Sequence, residues 1–493
     1  MIELSSEVLN LVIQHLFSLK GVALLLSGTI IGLLMGAIPG MGAMTTIALL
    51  LPFTFGWNPL DAFLLLSAVF GSTTVGGSVS AILINVPGTP ENIMTTVDGN
   101  ALTKRGRAVE ALALSGFSSL LGSLIGIIIF LIMLPFLLPL SLVVGPPEIF
   151  WLGVFALVVL STATGGSFIV NMLVGGFAFV LSLHGLGPVS GVPRFAHGIS
   201  YLWGGIPLIA ALVGTFAVPE AIQALSKASL GSVIDKNLLK GSRVAALKNV
   251  IRNKFLIIRS SILGFIIGVI PGVGGTLANY LAYVQAVQTS RNPENFGKGD
   301  PRGIIAPEAA NNAKDVGQLV PTLSLGVPGS GTMAVFLGAL TLHGITPGPF
   351  ILHQHFDVVM MVLLTLVFAF IISCGIVIIG GKYFSRILEI DSAILGLGIL
   401  TICFIATYFV RYEILDVLTM LIFGVLGFIV VKLNGSRILL ILPLVLGPII
   451  EHNFIVSLEA SMGNYQFFFS PISILILSVT VLSVLAPIIR RRM

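Results

Sequence analysis

Ile38-Pro39-Gly40-Met41-Gly42 returns as Ile270-Pro271-Gly272-Val273-Gly274, each copy with a glycine two residues before the isoleucine, Gly36 in one and Gly268 in the other. A second matched pair lies downstream: Asn85-Val86-Pro87-Gly88-Thr89-Pro90 corresponds to Gly326-Val327-Pro328-Gly329-Ser330-Gly331. All four interrupt hydrophobic runs. Proline removes a backbone donor and glycine accepts left-handed backbone, so the pair ends a helix. Two such breaks placed alike in both halves of an apolar chain are the mark of a repeated transporter fold with broken helices at its centre.

The bulk composition sets the environment. Of 493 residues, 56% are hydrophobic and 9% charged, and the mean hydropathy is +1.07. A soluble surface needs about 25% charged residues, so this is a polytopic integral membrane protein. The net charge of +5 does not point to nucleic acid, because the basic residues sit in short loops between spans and report orientation. Cys374 and Cys403 lie inside apolar runs, which excludes a disulfide framework or a CxxC metal site. Residues 1–20 carry Glu3 and Glu7 and no basic n-region, so they read as an amphipathic lead-in helix, with the first span directing insertion.

The expected fold is all-α and polytopic: a first repeat over residues 1–226, a basic linker over 227–259 and a second repeat over 260–493. The runs 21–38 and 42–56 are short for a crossing of about 20 residues and suit a hairpin or re-entrant pair. Spans are expected near 111–138, 147–163, 166–183, 203–225, 357–380, 390–410, 413–432, 437–450 and 471–489. The linker holds eight Lys or Arg residues against Asp235 alone and belongs on the cytoplasmic side. Counting crossings from it puts the C-terminal Arg490-Arg491-Arg492 inside, with Arg411 alone against the rule. The same count puts the loops after Gly88 and Gly329 on opposite sides, so the repeats are expected to be inverted, with their broken helices meeting near the bilayer midplane.

Breaks in mid-membrane survive only in protein or beside a water-filled cavity. The backbone of Pro39, Gly40, Gly42, Gly88, Gly272, Gly274 and Gly329 is therefore expected to line a site. Helix N-termini near Gly42, Thr89, Gly274 and Ser330 would offer N–H groups to an anion, with Thr89 and Pro90 as N-cap and first helical residue. Freed carbonyls, with the oxygens of Asn85, Thr89, Ser330 and Thr332, suit sodium as a coupling ion; no other cofactor is implied. Glu308 and Asn312 are four apart and share a helix face beside Asn311, placed to line a pathway or brace a break, as is Asn279. The small, hydroxyl-rich stretch from Gly71 to Ser78 suits close packing or ion coordination. A rival arrangement is His353-x-His355-x-Asp357 near His343, which as a metal cluster would make an intramembrane metal-dependent hydrolase. No HExxH motif and no GxxxxGK[ST] loop accompany it. A passive anion channel is a third possibility.

Taken jointly, the chain resembles the large membrane subunit of the tripartite tricarboxylate transporters. The resemblance rests on Pro39 to Gly42, Gly76-Gly77-Ser78 running into Asn85 to Gly88, Asp98-Gly99 to Gly106-Arg107, Pro271 to Gly274, Ala306 to Ala313 and Gly326 to Ser330. Gly145-Pro146-Pro147-Glu148 and Val192-Pro193-Arg194-Phe195 extend it to nearly the whole chain. It implies a bacterial inner-membrane carrier, coupled to sodium, that takes up a tricarboxylate such as citrate or a dicarboxylate. It also implies two partners, a small four-helix membrane subunit and a periplasmic solute-binding protein. Relatives often carry tyrosine before Gly-Gly-Ser where this chain has Val75, so a different preferred carboxylate is expected.

Overall fold

A computed structural model of the chain describes residues 2–187, 191–196, 198–226, 238–272, 275–386 and 391–490. It is built of helices; the described strands are two residues each, Gly185–Leu186 and Pro193–Arg194, paired antiparallel. Among the described residues, nine helices are long and apolar enough to cross a membrane. Lengths follow the hydropathy closely, as in Ala108–Val143, Pro146–Ala163, Phe356–Gly380 and Ile414–Lys432. Two differ: the run 21–38, expected to be short for a crossing, lies in Leu19–Ala37, which is one of the nine, and the span expected to stop at 450 continues as Ile438–Ala460. Glu451, His452 and Asn453 end the apolar run but not the helix, and the Glu451 carboxylate is held by the Arg194 guanidinium.

Both halves use one packing device. In the first, Leu19–Ala37 lies along Pro59–Ile84 with glycines at every fourth position. A Cβ on Gly28, Gly32 or Gly36 would fall 2.7, 2.5 or 2.1 Å from the carbonyl oxygens of Leu65, Val69 and Thr73. In the second, Lys254–Val269 meets Arg302–Gly317 in the same way, with Gly264 and Gly268 against the carbonyls of Ala310 and Lys314. Small residues four apart let helix backbones touch, which is how helices associate without a hydrophobic driving force between them.

The breaks follow the same plan in both halves. Ile38 and Ile270 end their helices with matching extended backbone, and Gly40 and Gly272 turn the chain at positive φ. The Gly40 amide donates to the Gly88 carbonyl at 3.2 Å, and the Gly272 amide donates to the Gly329 carbonyl at 3.1 Å. The downstream breaks open on left-handed residues, Asn85 at φ 60° and Gly326 at φ 69°. Each half thus ties its first break to its second through one backbone hydrogen bond.

Arg302–Gly317 is the interior element: Gly303 through Gly317 are all buried although the segment carries Glu308, Asn311, Asn312, Lys314 and Asp315. Read along the chain it is a polar stretch; in the fold it is enclosed by Ala108–Val143, Lys254–Val269 and Gly275–Gln288. Arg411, the exception to the charge rule, is neutralised where it stands. Its Nε donates to Asp416 at 2.8 Å and its guanidinium lies over the Tyr201 ring.

Candidate functional site

All four breaks face one cavity of about 610 Å³. Gly40 and Gly42 enter from the first, Gly88 and Thr89 from the second, Gly272 and Gly275 from the third, and Ser330 to Thr332 from the fourth. Three helices begin at its wall: Ala43–Thr54 after Gly42, Gly275–Gln288, and Gly331–Leu342 after Ser330. Ser330 is a true N-cap, its hydroxyl accepting from the Met333 amide at 3.3 Å. Helix N-termini present unpaired N–H groups and a positive dipole end, so their convergence makes the wall receptive to negative charge.

Of the residues singled out from the sequence, Gly40, Gly42, Gly88, Thr89, Gly272, Ser330 and Thr332 line this cavity. Gly329 is buried just behind Ser330, its amide donating to Thr322 Oγ1 at 3.2 Å. Pro39 faces a neighbouring small pocket beside Glu220. Asn85 is exposed at the end of Pro59–Ile84 and does not reach the cavity. Asn312 is fully buried in the interior helix, and neither atom of its amide finds a partner among the described residues. Gly274 falls outside the described residues. Thr89 does not cap a helix: it precedes a 3-10 turn, Pro90–Asn92, and its hydroxyl instead donates to Asn92 Oδ1 at 2.6 Å. Asn279 accepts from the Met94 amide at 2.9 Å, tying the second half to the start of Ile93–Lys104.

The charged groups of the cavity are residues the sequence did not single out. Arg437, at the head of Ile438–Ala460, and Glu220, within Leu208–Ser226, both line it and pair at 2.6 Å. A guanidinium has five donors, so one bond to Glu220 leaves others for a ligand. On the far side Glu91 lines the cavity and holds Lys314 Nζ at 2.5 Å, which also contacts Asp315 at 2.6 Å. Lys314 is almost fully buried, and Gly275 has no room for a Cβ, which would lie 2.6 Å from both Lys314 Nζ and Glu91 Cδ. Glu220, an acid inside an apolar run, was the available signal, since ionisable residues in spans mark pathways or sites.

Behind the cavity wall lies a second polar cluster. Glu308 is completely buried, and its carboxylate accepts from Ser78 at 2.8 and 2.9 Å, from Thr95 at 2.5 Å, and from Ser115 and Ser119 at 2.8 Å each. Asn92 donates to Ser78 Oγ at 2.8 Å and to the Thr74 carbonyl at 3.2 Å. Ser78 lies in the hydroxyl-rich patch of Pro59–Ile84; Ser115 and Ser119 sit one turn apart on Ala108–Val143.

Among the described residues no three His, Cys, Asp or Glu side chains converge as metal ligands. His353 instead turns to the Leu138 carbonyl at 3.3 Å, and His343 sits between the carbonyls of Ala339 and Thr54. The metal cluster that a hydrolase would need is therefore not formed by His353, His355 and Asp357.

A family model described as the tripartite tricarboxylate transporter TctA family matches residues 22–442. The chain is similar to an Agrobacterium vitis protein described as "Uncharacterized 52.8 kDa protein in TAR-I ttuC' 3'region", 31% identical over 457 residues covering 92% of this chain and 90% of that one. A second protein of the same organism, described as "Uncharacterized protein in TAR-II ttuC' 3'region", is 30% identical over 235 residues, 46% of this chain and 96% of its own length. No solved structure matches.

Proposed function

The chain belongs to the tripartite tricarboxylate transporter TctA family, and from that premise we propose that it takes up a carboxylate anion across the bacterial inner membrane through the cavity between its four breaks. The observation that carries this is the convergence there of three helix N-termini with Arg437. An arginine recognises carboxylate in a forked, two-bond geometry, and the N–H groups supply further donors at no cost in side-chain ordering. Glu220 holds the guanidinium in place through one bond, and an entering carboxylate takes the donors that remain.

The fine points of the proposal are these. Uptake is coupled to sodium, because an anion entering against the membrane potential needs accompanying positive charge. The solute is a tricarboxylate such as citrate or a dicarboxylate, delivered by a periplasmic solute-binding protein, with a small four-helix membrane subunit completing the complex. Residues 1–226 and 260–493 act as inverted repeats joined by the 227–259 linker, and the C-terminus is cytoplasmic. The like-for-like hydrogen bonds Gly40 to Gly88 and Gly272 to Gly329 support the division, and alternating access around the cavity follows from inversion.

The test is uptake of labelled citrate and a panel of other carboxylates into proteoliposomes holding this chain and its small partner, with and without a sodium gradient and the binding protein. Uptake that needs both, and that Arg437→Gln abolishes, is expected. Uptake indifferent to the gradient would make the protein a channel, and uptake unharmed by Arg437→Gln would remove the proposed anchor.

A further inference from the structure

Glu308 presents a charge problem. It has neither solvent nor a cationic side chain to balance it: its side chain is 0% exposed, and no Lys, Arg or His contacts it among the described residues. The cations on the same helix are taken elsewhere, Arg302 by Asp300 and Lys314 by Glu91 and Asp315. Burying an ion without a counter-ion is strongly unfavourable, and hydroxyl donors offset only part of the loss of water.

What surrounds the carboxylate is a set of hard oxygens. Ser78, Thr95, Ser115 and Ser119 come from three helices of the first half and reach Glu308 from the second, so four hydroxyl oxygens ring the two oxygens of the carboxylate. A hydroxyl can donate or accept; Ser78 also has the Thr74 carbonyl at 3.4 Å as an acceptor and can turn a lone pair inward. One negative charge in an all-oxygen shell matches a monovalent hard cation rather than a divalent one, which draws more carboxylates. A second observation points the same way. Asn312, one turn beyond Glu308 on the same helix face, is fully buried with both amide atoms unpartnered, an oxygen and a nitrogen that an enclosed ion and its water would satisfy.

The cluster is also wired to the cavity. Thr89, which lines it, donates to Asn92; Asn92 donates to Ser78; and Ser78 donates to Glu308. We propose that Glu308 with Ser78, Thr95, Ser115 and Ser119 forms a sodium site behind the solute cavity, and that the Thr89–Asn92–Ser78 line couples its occupancy to the solute. The sodium that accompanies the solute is thereby assigned to Glu308 and its hydroxyls and not to the cavity-lining oxygens of Thr89, Ser330 and Thr332. The coupling half of this inference rests on the carrier function proposed above; the ion site does not.

The experiment is equilibrium binding of radioactive sodium to the purified full chain in lipid nanodiscs, without partners, for the natural chain, Glu308→Gln, Ser115→Ala with Ser119→Ala, and Asn92→Ala. Thermal unfolding of each variant without sodium shows that it is folded. Saturable binding is expected in the natural chain, lost in Glu308→Gln and weakened roughly 10- to 100-fold in the serine pair. Asn92→Ala should bind sodium but no longer bind it more tightly when citrate is added, as linkage between two sites requires. Sodium binding equal in Glu308→Gln and the natural chain, or absent from the natural chain, would overturn the site. Sodium binding that depends on Glu308, joined to uptake that runs equally fast without a sodium gradient, would keep the site and refute the coupled carrier.

Discussion

Gly88 lies so close to Gly36 that a Cβ built on it would sit 2.1 Å from the Gly36 carbonyl oxygen, nearer than any real contact. The same Gly88 carbonyl accepts the Gly40 amide, so the two breaks of the first half cannot part to make room. Gly88→Ala is expected to lower stability by about 1–3 kcal/mol through overpacking, and Gly329→Ala to do the same, since its Cβ would meet Gln318 at 2.6 Å. Thermal unfolding in detergent reads both; full stability in either variant would mean that the break backbone is not held as described.

Arg437 and Glu220 should be separable by substitution. Arg437→Lys keeps the charge but loses the forked donor pair, and solute affinity is expected to fall roughly tenfold, ~1.4 kcal/mol. Glu220→Gln frees the guanidinium and should leave affinity equal or higher. Solute binding measured by calorimetry decides; a Glu220→Gln protein that binds as poorly as the lysine variant would show the pair acting as a unit.

Lys314, itself buried, holds the cavity-lining Glu91 and the buried Asp315. Lys314→Met leaves Glu91 and Asp315 facing each other and should cost about 3–5 kcal/mol, the usual penalty for removing one partner of a buried pair. Adding Asp315→Asn is expected to recover part of that loss. Unfolding curves for the single and double variants form the cycle.

Asn85 sits in left-handed backbone at φ 60° and is exposed. Asn85→Gly should be neutral in stability and transport, whereas Asn85→Val should cost about 1–2 kcal/mol from backbone crowding. Lost transport in a stable Asn85→Gly protein would instead make the amide a ligand.

His353→Ala with His355→Ala is expected to leave uptake intact, because neither histidine joins a metal cluster among the described residues. Abolished uptake in a folded double variant would revive the role that their spacing suggests.

The breaks were legible in the sequence because proline and glycine act locally: Pro39-Gly40 and Pro271-Gly272 end helices wherever they lie. Arg437 was not. At the start of an apolar run it looks like any orientation-setting arginine, and only the packing of Ile438–Ala460 against Leu208–Ser226 brings it to Glu220. Glu308 and Asn312 could be placed on one helix face by their spacing, but Ser115 and Ser119 lie nearly two hundred residues away. In an apolar span two serines one turn apart are ordinary, and nothing local says that they point at a carboxylate. The long helix through Glu451 was missed for a related reason: hydropathy registers the charge, not the Arg194 that neutralises it.

The interior helix Arg302–Gly317 belongs to the second half, yet Glu308 is bonded by four hydroxyls of the first, and the backbone carbonyl of Glu91 accepts from Asn311. In return Asp98 of the first half accepts from Tyr283 and from the amides of Gly299 and Asp300. A segment carrying Glu308, Asn311, Asn312, Lys314 and Asp315 is too polar to settle in lipid by itself. The two halves are therefore expected to be mutually dependent: a gene cut between Ser226 and Arg243 should yield a working protein only when both fragments are made in the same cell.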